Sequence, residues 1–244
     1  MLQGVVHSAA TDRMGETVDP ERGVRQVGGW CGILGSLLVA AYFLAPAFLD
    51  WPYGGASGVA ITTYARSHAV LFGGGAWLQV TGTLLSVVFF LSVVHLARAA
   101  SSLAGLVTVV AAAVLLATVV ADAAFLGAVP TAAAVGDTST ADTLFALSNG
   151  AFVRVFPLAP ASLTLIGVGL VLMHSGLFTR WLAYGALSLG VAFELAGAAA
   201  VMSNAGVVAS IVLSVGQGLW ALAAAITLLR SGPRSMVAAS RSGR

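Results

Sequence analysis

Six long apolar runs, separated by short polar stretches, dominate the pattern along the chain, over residues 28–49, 70–97, 103–128, 150–173, 181–202 and 207–229. Within each run apolar residues follow one another continuously. Each reaches the roughly 20 residues that a helix needs to cross a bilayer at about 1.5 Å per residue. A barrel strand would alternate in polarity over about 9–11 residues, so strands are excluded. The pattern predicts an all-α polytopic membrane protein, a six-helix transmembrane bundle filling one domain over residues 28–229. The second run is longer than a bilayer requires and is expected to tilt or project.

The stretches between the runs differ in character. Residues 50–69 open with a turn signal and then offer Gly58–His68 as a short interfacial helix, with Trp51 and Tyr53 suited to the headgroup belt. In the loop 129–149, Thr138–Asn149 reads as a second short helix, with Asp137 or a hydroxyl as its N-cap. Ser203-Asn204-Ala205-Gly206 is too tight to hold a site, so an external binding surface must come from the first two of these loops. Residues 1–27 and 230–244 are polar and read as disordered cytoplasmic tails. The first 27 residues lack the short apolar core of a cleavable signal peptide, and Met1 and Met14 both suit a start.

Composition narrows the class further. The chain is 59% hydrophobic and 8% charged. A soluble domain carries about 25% charged residues, so a water-soluble globule and a disordered chain are both excluded. The single cysteine, Cys31, rules out a disulfide framework and reads as a small buried side chain. The eleven basic residues are all arginine, and they are not evenly placed. Arg13, Arg22, Arg25, Arg98, Arg180, Arg230, Arg234, Arg241 and Arg244 fall on one side of the runs, whereas the opposite loops hold Arg66 alone. Arginine is retained on the cytoplasmic face, so both termini are expected in the cytoplasm of a plasma-membrane protein. An even number of spans requires the same.

Candidate chemistry lies in the polar groups that interrupt the runs, because each is costly in a bilayer unless paired or hydrated. Asp122, Arg154 and Glu194 fall in the third, fourth and fifth runs. All three are expected about 6–12 Å below the external surface at about 1.5 Å per residue. Gln79 and Gln217 join them somewhat deeper. Pro157 and Pro160 follow Arg154, and each removes a backbone donor, so the fourth helix is expected to kink or unwind there. A charge beside a broken helix suits a ligand pathway, and it equally suits packing. Two readings therefore stand. In one, these groups line an outward-facing cavity between the third, fourth and fifth spans for a small polar or amphipathic molecule. In the other, Arg154 pairs with Asp122 or Glu194 and only locks helices together in a structural or accessory membrane protein.

Other chemistry finds less support. His95 and His174 end the second and fourth runs on the cytoplasmic side, where a bis-histidine haem is conceivable but disfavoured against simple interfacial side chains near helix C-termini. No metal spacing or catalytic set is apparent, so neither a metal site nor an enzyme is expected. A nucleic-acid partner is not expected either; the bilayer is. Gly28, Gly32 and Ser36, and Ala196 with Ala200, are small-residue pairs that let helices approach closely, and Gly73-Gly74-Gly75 also reads as close packing.

Two stretches give the chain a family likeness: the long second run ending Val94-His95-Leu96-Ala97-Arg98, and the turn Ser175-Gly176-Leu177-Phe178-Thr179-Arg180-Trp181-Leu182. That turn is similar to a G-[LIF]-x-x-R-W-[LI] signature. On these motifs the chain resembles a bacterial, actinobacterial-type family of six-span membrane proteins of unknown function. The resemblance implies the six-span fold and the membrane location and carries no activity with it. Its residues also have ordinary tasks: Gly176 as a helix C-cap, Arg180 held in the cytoplasm, Trp181 at the headgroups.

Overall fold

The computed structural model describes residues 20–52, 55–151 and 155–231. These form α1 (Pro20–Leu44), α2 (Gly58–Ser67), α3 (Ala69–Leu96), α4 (Leu103–Ala134), α5 (Thr138–Gly150), α6 (Ser162–Ser175), α7 (Arg180–Ala200) and α8 (Asn204–Arg230), with a 3-10 turn at Ala45–Ala47 and a π-helical turn at Pro157–Ala161. No strand occurs among the described residues. Five of the helices contain spans long and apolar enough to cross a membrane: Pro20–Leu44, Ala69–Leu96, Leu103–Ala134, Arg180–Ala200 and Val208–Arg230. The fourth apolar run differs from the others. Its continuous helical part is shorter, Ala159–Ser175, because Pro157 and Pro160 interrupt it.

Short polar side chains start the helices. Ser57 accepts from the Ala60 backbone N–H at 3.3 Å, Ser102 from Gly105 at 3.1 Å, and Ser203 from Gly206 at 3.4 Å. Asp137 caps α5 by accepting from Thr140 N–H at 3.0 Å. Each satisfies a donor that a helix start leaves open. Gly176 ends α6 in the left-handed region at φ +62°, where glycine carries no Cβ penalty.

Small residues decide how the long helices pack. α1 lies against α3 and α8, α3 against α4, α4 against α6, α6 against α7, and α7 against α8, which closes a ring. A Cβ added at Gly28 would meet Ser92 Cβ at 2.5 Å, and one at Gly32 would meet Ala225 Cβ at 2.6 Å. A Cβ at Gly35 would come within 2.8 Å of the Gly82 carbonyl oxygen, so α1 and α3 touch almost backbone to backbone. The small-residue stripe of α1 is thus used within the chain, against α3 and α8. Gly73 and Gly74 do not pack closely, since a Cβ on either meets nothing within 4 Å. Inside the ring sits a core containing Phe89, Phe90, Leu115, Leu165, Phe193 and Trp220. Many large apolar side chains face outward instead, among them Trp30, Leu37, Val110, Leu195, Val212 and Leu219. Continuous outward apolar surface is what lipid tails accept and water does not.

The ring has two distinct ends. The start of α1, the α3–α4 turn and the end of α8 lie together: Arg98 pairs with Glu21 at 3.1 Å, and Arg25 Nη1 donates to the Ser231 carbonyl. At the other end α2 and α5 pack over the extension of α4 around Ile61, Phe72, Leu126, Val129 and Phe145. Arg66 joins this cap by donating from Nε to the Ala133 carbonyl at 2.6 Å.

Several boundaries differ from the sequence expectation, for identifiable reasons. α1 begins at Pro20, so Arg22 and Arg25 ride on the helix, and it ends at Leu44 where Pro46 cannot continue it. α4 runs past the expected end to Ala134 with Pro130 inside it, because Val129, Ala132 and Ala133 are buried beneath α2 and α5. The two short helices between the long ones appear where the sequence places them, Gly58–Ser67 and Thr138–Gly150. Cys31 is half-buried.

Candidate functional site

α3 and α8 each carry one glutamine into the interior of the ring. Gln79 is 5% exposed. Both side chains line one cavity, bounded by α1, α3, α4, α8 and Phe156, at about 20–25 Å from the arginine-rich end by helical rise. The cavity offers about 40 Å³ to the centres of water molecules. A single water needs about 10–15 Å³ on that measure, so roughly three fit.

The polar side chains of the wall are the two glutamines, Tyr42, Thr83 and three serines. Ser36 Oγ donates its proton to the Gly32 carbonyl at 2.7 Å, Ser86 Oγ to Gly82 at 2.9 Å, and Ser214 Oγ to Ser210 at 2.8 Å. These hydroxyls have spent their donors on their own helices and keep lone pairs. Among the described residues, Gln79 Oε1 and Gln217 Oε1 are buried with no hydrogen-bond partner. A buried carbonyl oxygen without a donor costs about 1–3 kcal/mol. Two of them on one cavity wall mark the place where a donor would be most favourable.

Gln79 also reaches behind the cavity. Its Nε2 donates to Asp122 Oδ2, and Ser148 Oγ donates to the other oxygen, Oδ1. Asp122 is 1% exposed, and through these bonds it ties α3, α4 and α5 together. Both oxygens of Asp122 are thus engaged. This arrangement also fixes the amide: turned over, Gln79 would face the acid with its own oxygen.

The other sequence candidates fall elsewhere. Glu194 lies on an exposed part of α7, where its Oε2 accepts from Ser162 Oγ at 2.6 Å, and it does not line the cavity. Arg154 lies outside the described residues. The cavity that Gln79 and Gln217 line is bounded by α1, α3, α4 and α8, whereas the one expected between the third, fourth and fifth spans depends on Arg154. α6 and α7 are drawn together instead by Gly169 and Gly190, where an added Cβ would come within 2.7 Å of Leu187 Cγ and Ile166 Cγ1.

Pro157 and Pro160 occupy the π-helical turn. Ala161 N–H reaches back five residues to the Phe156 carbonyl at 3.1 Å, as a π-helix requires. In the turn that follows, Thr164 Oγ1 donates to the Pro160 carbonyl at 2.6 Å. His95 and His174 are exposed near the ends of α3 and α6, and His174 Nδ1 contacts the Leu170 carbonyl at 2.8 Å. Sequence reasoning missed Ser148, Tyr42 and Ser214. A serine in an amphipathic loop helix carries no signal that it will meet a carboxylate, and a tyrosine near a span end reads as an interfacial residue.

The fold is that of an all-helical protein with five helices long and apolar enough to cross a membrane, consistent with an integral membrane protein. The chain matches no protein-family model, no curated protein and no solved structure.

Proposed function

We propose that this is a six-span plasma-membrane protein with both termini in the cytoplasm, and that it binds or moves a small polar molecule through the cavity between α1, α3, α4 and α8. The observation that carries this reading is the pair of buried, unpartnered amide oxygens, Gln79 Oε1 and Gln217 Oε1, on one wall. The π-turn and α6 make the remaining span, shortened by its prolines. The arginine-bearing end, with Arg22, Arg25, Arg98, Arg180 and Arg230, faces the cytoplasm. The turn at Gly176–Leu182 supports placing the chain with the six-span bacterial family that it resembles, and that family brings no activity.

A cavity wall that can be filled allows a test. Gly218 lines the cavity, and a Cβ added there meets nothing within 4 Å. Gly218→Leu should occupy the space while gaining about 0.5–1 kcal/mol of helix propensity. Thermal unfolding of the full chain in detergent, against a panel of neutral, cationic and anionic small solutes, reads binding as stabilisation of about 2.7 kcal/mol at a hundred times Kd. At least one solute should stabilise the wild-type protein and not Gly218→Leu. Equal response of both proteins to every solute would refute the cavity reading.

The alternative is an accessory membrane protein whose interior polar groups only hold helices together. The fully partnered Asp122, bonded to Gln79 and Ser148, favours it. It leaves the two amide oxygens without an explanation.

A further inference from the structure

We propose that the cavity is a site for a compact ammonium head group bearing N–H donors; this rests on the reading of the cavity as a binding site and names the class of its ligand. The wall is the wrong surface for an anion. Gln79 Oε1 and Gln217 Oε1 are buried without a hydrogen-bond partner, and the Ser36, Ser86 and Ser214 hydroxyls have already given their protons to helix carbonyls. No arginine or histidine is among the described lining residues. A ligand that donates hydrogen bonds satisfies the two unpartnered amide oxygens, which a pure acceptor cannot do, while the Tyr42 and Thr83 hydroxyls can turn to serve either kind of group.

Charge and shape select the cation further. Asp122 lies one amide group behind Gln79 Oε1, and Gln79 Nε2 donates to it. An N–H donor at Oε1 polarises that amide in the direction that strengthens its bond to the acid, so the two bonds reinforce each other. The rest of the wall includes the rings of Tyr42, Phe43, Phe90 and Phe156. Aromatic faces attract organic cations and accommodate an alkyl group beside the charge. An alkali-metal ion would gain less, because two amide oxygens and a few hydroxyls replace only part of its hydration shell. Room for roughly three waters restricts the head group to a few heavy atoms.

The test is calorimetric titration of the full chain in detergent with methylammonium, and in parallel with tetramethylammonium, potassium and acetamide. Methylammonium should bind saturably to the wild-type protein. Gln217→Leu should weaken it by about tenfold or more, as expected for one lost acceptor, and Gly218→Leu should abolish it. Gln217→Glu, which adds a charge without changing shape, should tighten it. Gln217 bonds no other residue among those described, so these variants leave the Asp122 cluster intact. Tetramethylammonium, with the same charge and no N–H, should bind at least about tenfold more weakly. Binding of tetramethylammonium or potassium as tight as that of methylammonium would overturn the ammonium assignment. Acetamide binding that is lost in Gly218→Leu, with no methylammonium binding, would overturn it too while leaving the cavity a binding site. No binding by any probe would remove both.

Discussion

A carboxyl group at 1% exposure is tolerated only with partners, and Asp122 has Gln79 and Ser148 on its two oxygens. Replacing it by alanine would leave two buried donors unpaired, at about 1–3 kcal/mol each. Asp122→Ala should therefore lower stability by about 2–4 kcal/mol in denaturant unfolding in detergent, and Asp122→Asn by distinctly less. Equal stability of wild type and Asp122→Ala would show that the cluster holds nothing. Asp137, outside the apolar helices, gives a pH effect of known sign. The Thr140 hydroxyl at 2.6 Å and the Thr140 backbone N–H hold its carboxyl below the ordinary 3.8. A lowered pKa means the cap is fully present above the ordinary value and is lost as pH falls through the native one. Amide exchange in the first turn of α5 should accelerate in acid relative to its last turn, and Asp137→Ala should remove that difference. At this scale the sequence was partly legible. A lone Asp and two glutamines in apolar runs stand out because they are costly there. The partnership with Ser148 was not visible, since it depends on α5 folding back over α4.

The elements themselves were easier to read than their ends. Ser57, Ser102 and Asp137 stand before helical patterns and cap them, and Gly176 stands after one. Their short side chains, or the lack of one, have local effects that no tertiary contact overrides. The third run is expected to end at residue 128, yet α4 continues through Pro130 to Ala134 because burial under α2 and α5 compensates for one lost hydrogen bond. Glycines were the least legible, because a missing side chain does not say what fills its place. Gly35 and Gly73 make the comparison testable. Gly35→Ala must push against the Gly82 carbonyl at 2.8 Å and should cost about 1–3 kcal/mol. Gly73→Ala meets nothing within 4 Å and should be neutral, or more stable by up to about 1 kcal/mol. Thermal unfolding of the two variants side by side would show the opposite signs; the same sign for both would contradict the packing of α1 on α3.

For the whole molecule, the ring of α1, α3, α4, α6, α7 and α8 places its arginine-bearing turns at one end and the α2–α5 cap at the other. On the proposed topology the arginine-bearing end faces the cytoplasm, and labelling tests it. With Cys31 changed to alanine, a cysteine in place of Ser139 should react with an impermeant maleimide on intact cells, and one in place of Ser101 only after permeabilisation. The reverse would invert the topology. The ring also sets which side of each helix looks inward. Depth along a helix can be counted, but the side of the helix that faces a cavity depends on which neighbours close the ring. Gln79 and Gln217, expected as the deeper members of the set, prove to be the pair that share a wall.

The central claim is that the two glutamine oxygens belong to something other than the protein. An experimental structure of the chain purified from its native membrane, at a resolution that shows bound waters and small molecules, measures this directly. The account expects non-protein density within about 3 Å of both Gln79 Oε1 and Gln217 Oε1. A closed cavity, with both oxygens hydrogen-bonded to protein side chains, would contradict it.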